Sequence, residues 1–170
     1  LVKRVDVFIE SSRPGNSVSL GFGYDKLRAL NSKLIYCSIS GFGQDGPYRD
    51  IPAHDSTYQG IAGILGYAGE PRYPDIAVSD LSSALFSTIA ILGALWSRQK
   101  TNEGQFIDIS MTDCCVGLNS VAIGSYYATG SKRRTPRAGG GVFKAKDGKY
   151  LTLSIAGEYK LWQNLCRLFN

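Results

Sequence analysis

The sequence has one histidine, one methionine and four cysteines among its 170 residues. The cysteines are Cys37, Cys114, Cys115 and Cys166, and no two of them have the CxxC spacing of a metal-binding or redox motif. They lie in apolar patterns, which favours buried thiols in a reducing compartment. We therefore expect a cytoplasmic protein that holds no metal.

Long hydrophobic runs are also scarce. The longest apolar stretch, residues 81–96, is interrupted by serine and threonine, and the N-terminal residues LVKRVDVFIE mix charged with apolar side chains. We expect neither a membrane span nor a signal peptide. The net charge is +5, but the basic cluster at 132–137 comes without a zinc-finger spacing or an RNA-binding aromatic motif. Nucleic acid is therefore not an expected partner, whereas small anions such as phosphates are.

The sequence does contain an alternation of buried-type strands and helices. Residues 5–9 and 34–39 are short apolar runs typical of strands covered on both faces, and residues 24–30 between them have helical spacing. Strand, helix and strand at these distances predict a βαβ unit with a parallel pair, and hence an α/β fold. Since two strands are too few for a domain, we expect the others to come from a second subunit or from chain outside this sequence.

The stretch that follows Asp80 is predicted to be mainly helical. Apolar residues from Leu81 to Trp96 recur every three or four positions, which predicts a long buried helix with Asp80 as its N-cap. Residues 105–110 alternate between apolar and polar as a strand does, and residues 111–129 again have helical spacing.

A boundary between two domains is predicted near residue 130. Residues 130–141 are basic and glycine-rich without periodicity, which indicates an exposed loop. A hairpin pattern about an Asp-Gly turn follows, and then a helical pattern over 158–169. The predicted domains are therefore residues 1–130 and residues 131–170.

Side chains that can transfer protons are concentrated between Ser38 and Asp80. A glycine-rich loop follows the predicted strand, and His54 and Asp55 then begin a short helix. In open α/β sheets, ligands bind where such loops leave the strands, and histidine and carboxylates move protons near neutral pH. His54, Asp55 and Asp80 are therefore candidate catalytic residues. Taken singly, Asp80 fits a helix cap better than a catalyst, and His54 can equally be a structural loop residue.

Several other residues have two explanations at this point. Gly139–Gly141 can cradle an anion with backbone N–H groups or act as a hinge, since neither a Walker nor a GxGxxG motif accompanies them. Arg13 can contact a phosphate or be solvated. Glu158, at the start of the last helix, fits a helix-dipole residue better than a catalyst.

Four stretches, in order, resemble one known family. They are SSRPG at 11–15, LGFGYDKLRALNSKLIYCSISGFGQDGPYRDIPAHD at 20–55, GALWSRQKTNEGQFIDISMTD at 93–113 after the lone Asp80, and KDGKYLTLSIA at 146–156. The chain is similar to the class III CoA-transferase family, also called CaiB/BaiF, and it matches the middle part of a member. Where the family usually has ENFRPG, this sequence has ESSRPG, with Ser11 and Ser12 at the two changed positions.

The resemblance implies a Rossmann-like large domain, of which residues 1–130 supply a βαβ segment, the start of a smaller α/β domain, and an interlocked homodimer that binds coenzyme A. In the family's transferases, an aspartate at the position of Asp80 attacks the acyl-CoA thioester and gives a mixed anhydride, then an aspartyl-CoA thioester. The resemblance places Arg13 and Tyr58 at the coenzyme A site. It also implies that Gly139, Gly140 and Gly141 shield the intermediates.

The histidine favours another branch of the family, the α-methylacyl-CoA racemases, whose HD pair and following tyrosine match His54, Asp55 and Tyr58. There, His54 and Asp80 would remove and return the proton on the carbon beside the thioester carbonyl, with Asp55 and Glu158 as partners of these two bases. The resemblance thus favours an acyl-CoA racemase. The alternatives are a CoA transferase acting through Asp80 and a non-catalytic, truncated fragment that dimerises.

Overall fold

Three parallel strands form the centre of the first of two units into which the chain divides, Leu1–Gly130 and Ser131–Asn170. The computed structural model describes residues 1–66, 70–131, 139–155 and 157–168. The strands of the first unit are β1 (Val7–Glu10), β2 (Ile35–Ser40) and β3 (Phe106–Ser110). Its helices are α1 (Asn16–Ser19), α2 (Tyr24–Leu30), α3 (Asp55–Ile61), α4 (Val78–Thr101), α5 (Met111–Leu118) and α6 (Ser120–Thr129), after a 3-10 turn at Val2–Arg4.

The sheet has the order β1-β2-β3, and both pairs are parallel. The predicted α/β fold and its βαβ unit are confirmed, but the expectation that the further strands of the parallel sheet come from a second subunit or from chain outside this sequence is wrong for the third strand. Residues 106–110 supply the third strand, because α4 returns the chain to the free edge of β2. The carboxyl ends of the strands, at Glu10, Ser40 and Ser110, therefore lie at one edge of the sheet.

The central strand is covered on both faces, as its apolar run predicts. On one face Tyr36 packs with Leu27 of α2 and with an aromatic cluster around Phe8. On the other face Cys37 packs with Ile109 and Cys114, beneath α4 and α5. Because side chains of a strand alternate between faces, a continuous apolar run is what a strand between two layers requires.

Helix α4 begins earlier than the sequence predicts, and it buries its serine-rich face and not its apolar face. Its N-cap is Ala77, so Asp80 lies in the first turn and is not the cap. Its buried residues are Ser79, Ser82, Ser83, Ser87 and Ala94, whereas Leu81, Leu85, Ile89, Leu92 and Trp96 are exposed. The prediction of a buried apolar face is therefore wrong for this structure. The serines can be buried because hydroxyls such as those of Ser82 and Ser83 donate to carbonyls one turn back in the helix.

Within the described ranges, α4 is the one helix long and apolar enough to cross a membrane by length and composition, a test that core helices also pass. The expectation of no membrane span stays a prediction. The helix predicted over 111–129 is two helices, α5 and α6, divided at Asn119. The Asn119 side chain donates to Ala62 O at 2.8 Å and so ties this break to the end of α3.

The second unit contains a β-hairpin and a helix. Strands β4 (Gly140–Lys144) and β5 (Tyr150–Ser154) are antiparallel and are followed by α7 (Tyr159–Leu168). The predicted Asp-Gly turn is confirmed: Gly148 has φ +86°, which favours glycine, and the Asp147 carboxylate accepts a bond from Lys149 N at 3.1 Å. The basic run at 132–137 and Phe169, which was predicted to extend the last helix, lie outside the described residues.

Candidate functional site

The carboxyl edge of the parallel sheet opens onto a cavity of about 460 Å³. It lies where the general rule for open α/β sheets predicts a ligand site. Five segments of the first unit line it: the loop after β1, the end of β2 with its following loop, the start of α3, the first turn of α4 and the start of α5. The chemically active side chains among the lining residues are Ser11, Ser12, Arg13, Ser40, Arg49, His54, Asp55, Tyr58 and Asp80.

His54 and Asp55 stand at the N-terminus of α3, as the sequence predicts. His54 is the N-cap residue, and its carbonyl accepts a bond from Thr57 N at 2.8 Å. The His54 side chain is exposed and lines the cavity, whereas Asp55 is half-buried. The adjacent pair therefore has two environments, an exposed histidine and a half-buried aspartate.

The Asp55 carboxylate is engaged by the N-terminus of α4. It accepts bonds from Ser79 N at 2.8 Å, from the Ser79 hydroxyl and from Gln59 Nε2 at 2.6 Å. The same Gln59 amide donates to Ile76 O at 2.9 Å, and both Gln59 and Ser79 are almost fully buried. Burial alone would raise the pKa of Asp55, but bonds from Ser79, Gln59 and the Asp80 backbone outweigh it and lower the pKa below its ordinary value of 3.8.

Asp55 takes the capping role at α4 that the sequence pattern assigns to Asp80. Ala77, the N-cap of α4, has no polar side chain, and Asp55 supplies the missing acceptor from another helix. Asp80 lies in the same first turn, is exposed and lines the cavity. Its position at the positive end of a long helix stabilises a carboxylate. The geometry thus makes Asp55 the cap and leaves Asp80 facing the cavity.

Tyr58 is packed tightly beneath the cavity. It is 7% exposed, its hydroxyl donates to Ala53 O at 2.7 Å, and its ring meets Phe42 edge to face. Burial raises the pKa of Tyr58, the charge of Asp80 raises it further, and Arg13 opposes the shift. Asp80 and Arg13 are therefore both within electrostatic range of this hydroxyl. The predicted part of Tyr58 in binding coenzyme A stays a prediction.

Gly41 is the position at which the packing of Tyr58 can be tested. A Cβ atom at Gly41 would overlap the tyrosine hydroxyl and ring, so we expect Gly41→Ala to destabilise the fold by about 1–3 kcal/mol. Thermal unfolding monitored by circular dichroism measures this. The matched control is Gly93→Ala, in open space on α4, where alanine should be neutral or stabilising. Equal melting temperatures for the two variants would contradict the packing described.

Arg13 reaches the cavity from a loop that β1 holds in place. Glu10, the last residue of β1, accepts bonds from the Ser38 hydroxyl and from Ser12 N, the latter at 2.8 Å. Arg13 itself is exposed and lines the cavity. Its predicted place is therefore compatible with the structure, and the backbone beside it is fixed.

Two polar residues of the lining were missed by sequence analysis. Arg49 lies in the loop after β2, where its Nε donates to Gln44 O and its Nη1 bonds Asp50, both at 2.8 Å. Ser40 is the last residue of β2 and is 6% exposed. The available signal was positional, since residues at and just after the carboxyl end of a parallel strand face the ligand edge.

The remaining predicted site residues belong to the second unit. Gly140 and Gly141 begin β4 and do not form a free loop, and Gly139 packs so closely that a Cβ there would lie 3.0 Å from Ile155 and Trp162. Glu158 is exposed and directly precedes α7. The part of these residues in the site stays a prediction. Among the described residues, no group of three or more His, Cys, Asp or Glu is arranged to hold a metal ion.

Comparison with known proteins gives one consistent result. A family model described as CoA-transferase family III matches residues 1–170. The chain is 36% identical over 177 residues to the acetyl-CoA:oxalate CoA-transferase of Acetobacter aceti, covering 98% of this chain and 45% of that protein. It is 31% identical over 176 residues to the human succinyl-CoA:glutarate CoA-transferase, covering 97% and 40%.

Solved structures agree with the sequence comparison. The crystal structure of a CaiB/BaiF family protein from Brucella suis superposes with a TM-score of 0.84 at 32% identity, over 98% of this chain and 46% of that one. The chain thus spans about half the length of the relatives it matches. Since the family model and these similarities extend over essentially the whole sequence, the chain belongs to CoA-transferase family III.

Proposed function

We propose that the protein transfers coenzyme A between carboxylic acids, with Asp80 as the covalent nucleophile. The observation that most supports this proposal is the difference in contacts between Asp55 and Asp80. The Asp55 carboxylate accepts hydrogen bonds from Ser79 and Gln59, whereas Asp80 faces the cavity from the first turn of α4. A nucleophile must reach its substrate, and Asp80 is the carboxylate that can.

The proposed reaction uses the Asp80 carboxylate twice. One of its oxygens attacks the thioester carbonyl; the carbon–sulfur bond breaks and the thiolate of coenzyme A leaves, which gives a mixed anhydride. That thiolate then attacks the Asp80 carbonyl and releases the first acid. The second acid attacks the resulting aspartyl thioester, breaks its carbon–sulfur bond and forms a second mixed anhydride while the thiolate leaves. The thiolate then attacks the acyl carbonyl of this anhydride, which forms the new acyl-CoA and frees the Asp80 carboxylate. Each difficult exchange is thereby divided into easier acyl transfers.

The two arginines suit the anionic substrates of this reaction. Guanidinium groups bind phosphate and carboxylate in matching geometry, and Arg13 and Arg49 both line the cavity of Asp80. We assign coenzyme A phosphates to Arg13, in agreement with the family resemblance. Gly139–Gly141 are proposed, on that resemblance alone, to shield the intermediates.

The direct test is a transfer assay. The full-length protein is incubated with succinyl-CoA or acetyl-CoA and a series of free mono- and dicarboxylic acids, and new acyl-CoA is measured by chromatography. The proposal expects a new thioester with at least one acid and an equal amount of released donor acid. Thioester hydrolysis without any new acyl-CoA would contradict it.

A racemase is the second candidate, and His54 is the observation that favours it. Its side chain lines the same cavity as Asp80, so one base can lie on each side of a bound acyl group. Loss of the α-proton to one base and its return from the other would invert that carbon without net redox change.

The two candidates differ in their dependence on His54. We expect His54→Ala to lower CoA transfer by less than about 10-fold, because a carboxylate nucleophile needs no general base. If the protein is a racemase, deuterium from D₂O enters the α-carbon of a 2-methylacyl-CoA, and His54→Ala abolishes this exchange. Mass spectrometry of the recovered thioester measures the exchange, and its presence with full His54 dependence would replace transfer by racemisation.

The assembly and location remain proposals. We propose that residues 1–130 and 131–170 are parts of the large and small domains of the family and that the protein is a homodimer. The exposed apolar row of α4 that includes Leu85 and Trp96 supports contact with further protein, since such rows are rarely left in water. A reducing compartment such as the cytoplasm is proposed because Cys37, Cys114 and Cys115 are buried free thiols.

A further inference from the structure

Ser40 occupies the floor of the cavity. It is the last residue of β2, the central strand, and pairs in register with Ser110 of β3. The backbone after it is held by Thr112, whose N–H and hydroxyl both donate to Gly41 O, at 3.1 and 2.9 Å. Ser40 is therefore a fixed residue at the carboxyl end of the sheet.

The Ser40 hydroxyl is buried without a hydrogen-bond partner among the described residues. The Tyr36 and Ser87 hydroxyls are also buried without a bond of good geometry, but Ser17 interacts with the first and the Cys37 thiol with the second. Neither residue lines the cavity. An unpaired buried hydroxyl costs about 1–3 kcal/mol, so structures seldom keep one without a use. The cavity beside Ser40 is where its partner can enter.

Ser38 is a buried serine on the same strand whose hydroxyl does have hydrogen-bond partners. It lies two residues earlier and thus on the same face of β2. Its hydroxyl donates to Glu10 and accepts from Gln44 Nε2 at 3.0 Å, and the residue is 1% exposed. The contrast shows that burial on this face does not itself prevent pairing, so the unpaired Ser40 hydroxyl is a specific feature of the cavity.

We propose that the Ser40 hydroxyl donates a hydrogen bond to the acyl carbonyl oxygen of the bound thioester. The inference rests on the proposed function. A neutral donor fixed at the strand end matches a neutral carbonyl, whereas the phosphates and free carboxylates of the substrates match the guanidinium groups of Arg13 and Arg49. When Asp80 attacks, this oxygen becomes negatively charged, and a donor already in place stabilises the charge.

The stability of the ligand-free protein provides the first test. Ser40→Ala removes a hydroxyl that bonds none of the described residues, so the melting temperature should stay equal or rise. Ser38→Ala, the matched control, leaves Glu10 and Gln44 without a partner and should lower it. A drop for Ser40→Ala as large as that for Ser38→Ala would show that Ser40 serves the fold, which overturns the proposal.

Ligand binding and kinetics provide the second test. In a full-length Asp80→Asn background, calorimetry compares acetyl-CoA with S-ethyl-CoA, which lacks only the carbonyl oxygen. We expect Ser40→Ala to weaken the binding of acetyl-CoA at least about 3-fold and to leave the affinity for S-ethyl-CoA unchanged. In the Asp80 protein, the same substitution should lower kcat at least about 10-fold, with a smaller effect on KM.

The outcomes separate this inference from the proposed function. If both thioester and thioether bind and Ser40→Ala affects them equally or not at all, the carbonyl contact is refuted while transfer through Asp80 stands. If the protein with Ser40 intact binds neither compound, the proposed function fails and the Ser40 assignment fails with it.

Discussion

Asp80→Ala should lower the rate of CoA transfer by at least about 10³-fold and leave the fold intact. The size of the effect follows from the proposed covalent role, because removing a nucleophile removes the whole pathway and not one stabilising contact. The fold should persist because Asp80 is exposed and the cap of α4 is supplied by Asp55. Steady-state kinetics and thermal unfolding of the same preparation measure both quantities.

Asp113→Ala is the matched control for this variant. Asp113 also lies in the first turn of a helix, α5, and is exposed, but it does not line the cavity. Both substitutions remove a similar favourable interaction with a helix dipole, about 0.3–1 kcal/mol. We expect Asp113→Ala to keep full activity. An Asp80→Ala protein that transfers at more than a tenth of the normal rate would contradict the nucleophile assignment.

Asp55→Ala should destabilise the protein by about 2–3 kcal/mol and lower transfer by about 10²-fold. The buried donors of Ser79 and Gln59 would lose a charged acceptor. The first turn of α4 would no longer be held against α3, and Asp80, which sits in that turn, would be misplaced. Denaturant unfolding and kinetics of the full-length protein measure the two effects.

Asp55→Asn tests the same network more finely. Asparagine can still accept from Ser79, but its NH₂ group would face the NH₂ of Gln59. Gln59 cannot turn its amide without placing its oxygen against Ile76 O. We therefore expect the stability of Asp55→Asn to lie between that of the parent and that of Asp55→Ala. Equal stability of the Asn variant and the parent would mean that the charge and second acceptor of Asp55 do not matter.

The lowered pKa of Asp55 adds a pH dependence with a definite sign. Its contribution to stability is complete above the ordinary pKa of 3.8 and is lost as the pH falls through the lowered folded value. The stability difference between the parent and Asp55→Asn should therefore shrink as the pH falls below the ordinary value of 3.8 and through the lowered folded value. A difference that grows toward acid pH would contradict the hydrogen-bonded, charged state of Asp55.

The sequence predicts local structure well where one segment decides it. The buried run of β2, the Asp-Gly turn of the hairpin and the start of α3 at His54 all depend on nearby residues. The third strand was recognised as a strand, but its place beside β2 depends on where α4 leads the chain. Strand order is a tertiary property, and periodicity alone does not contain it.

The predictions of the buried face of α4 and of its cap were wrong because both features depend on tertiary contacts. Helical spacing identifies a stripe of apolar residues, but it does not tell which side the neighbouring layers cover, and here they cover Ser82 and Ser87. The cap was missed for a similar reason. Asp55 caps α4 by accepting a bond from Ser79, which lies 24 residues later in the chain, so the bond exists only after folding. The cap of α4 is therefore supplied by Asp55 and not by Asp80, to which the sequence pattern assigns it.

The most direct measurement of the covalent role is hydroxylamine trapping of the activated Asp80 carboxyl group. The full-length protein is incubated with an acyl-CoA, treated with hydroxylamine and digested, and the peptide that contains Asp80 is examined by mass spectrometry. With Asp80 as the covalent nucleophile, we expect a hydroxamate on Asp80 that requires acyl-CoA and does not form on Asp55 or Asp113. A protein that transfers coenzyme A with Asp80 unmodified, or with the adduct on another residue, would contradict it.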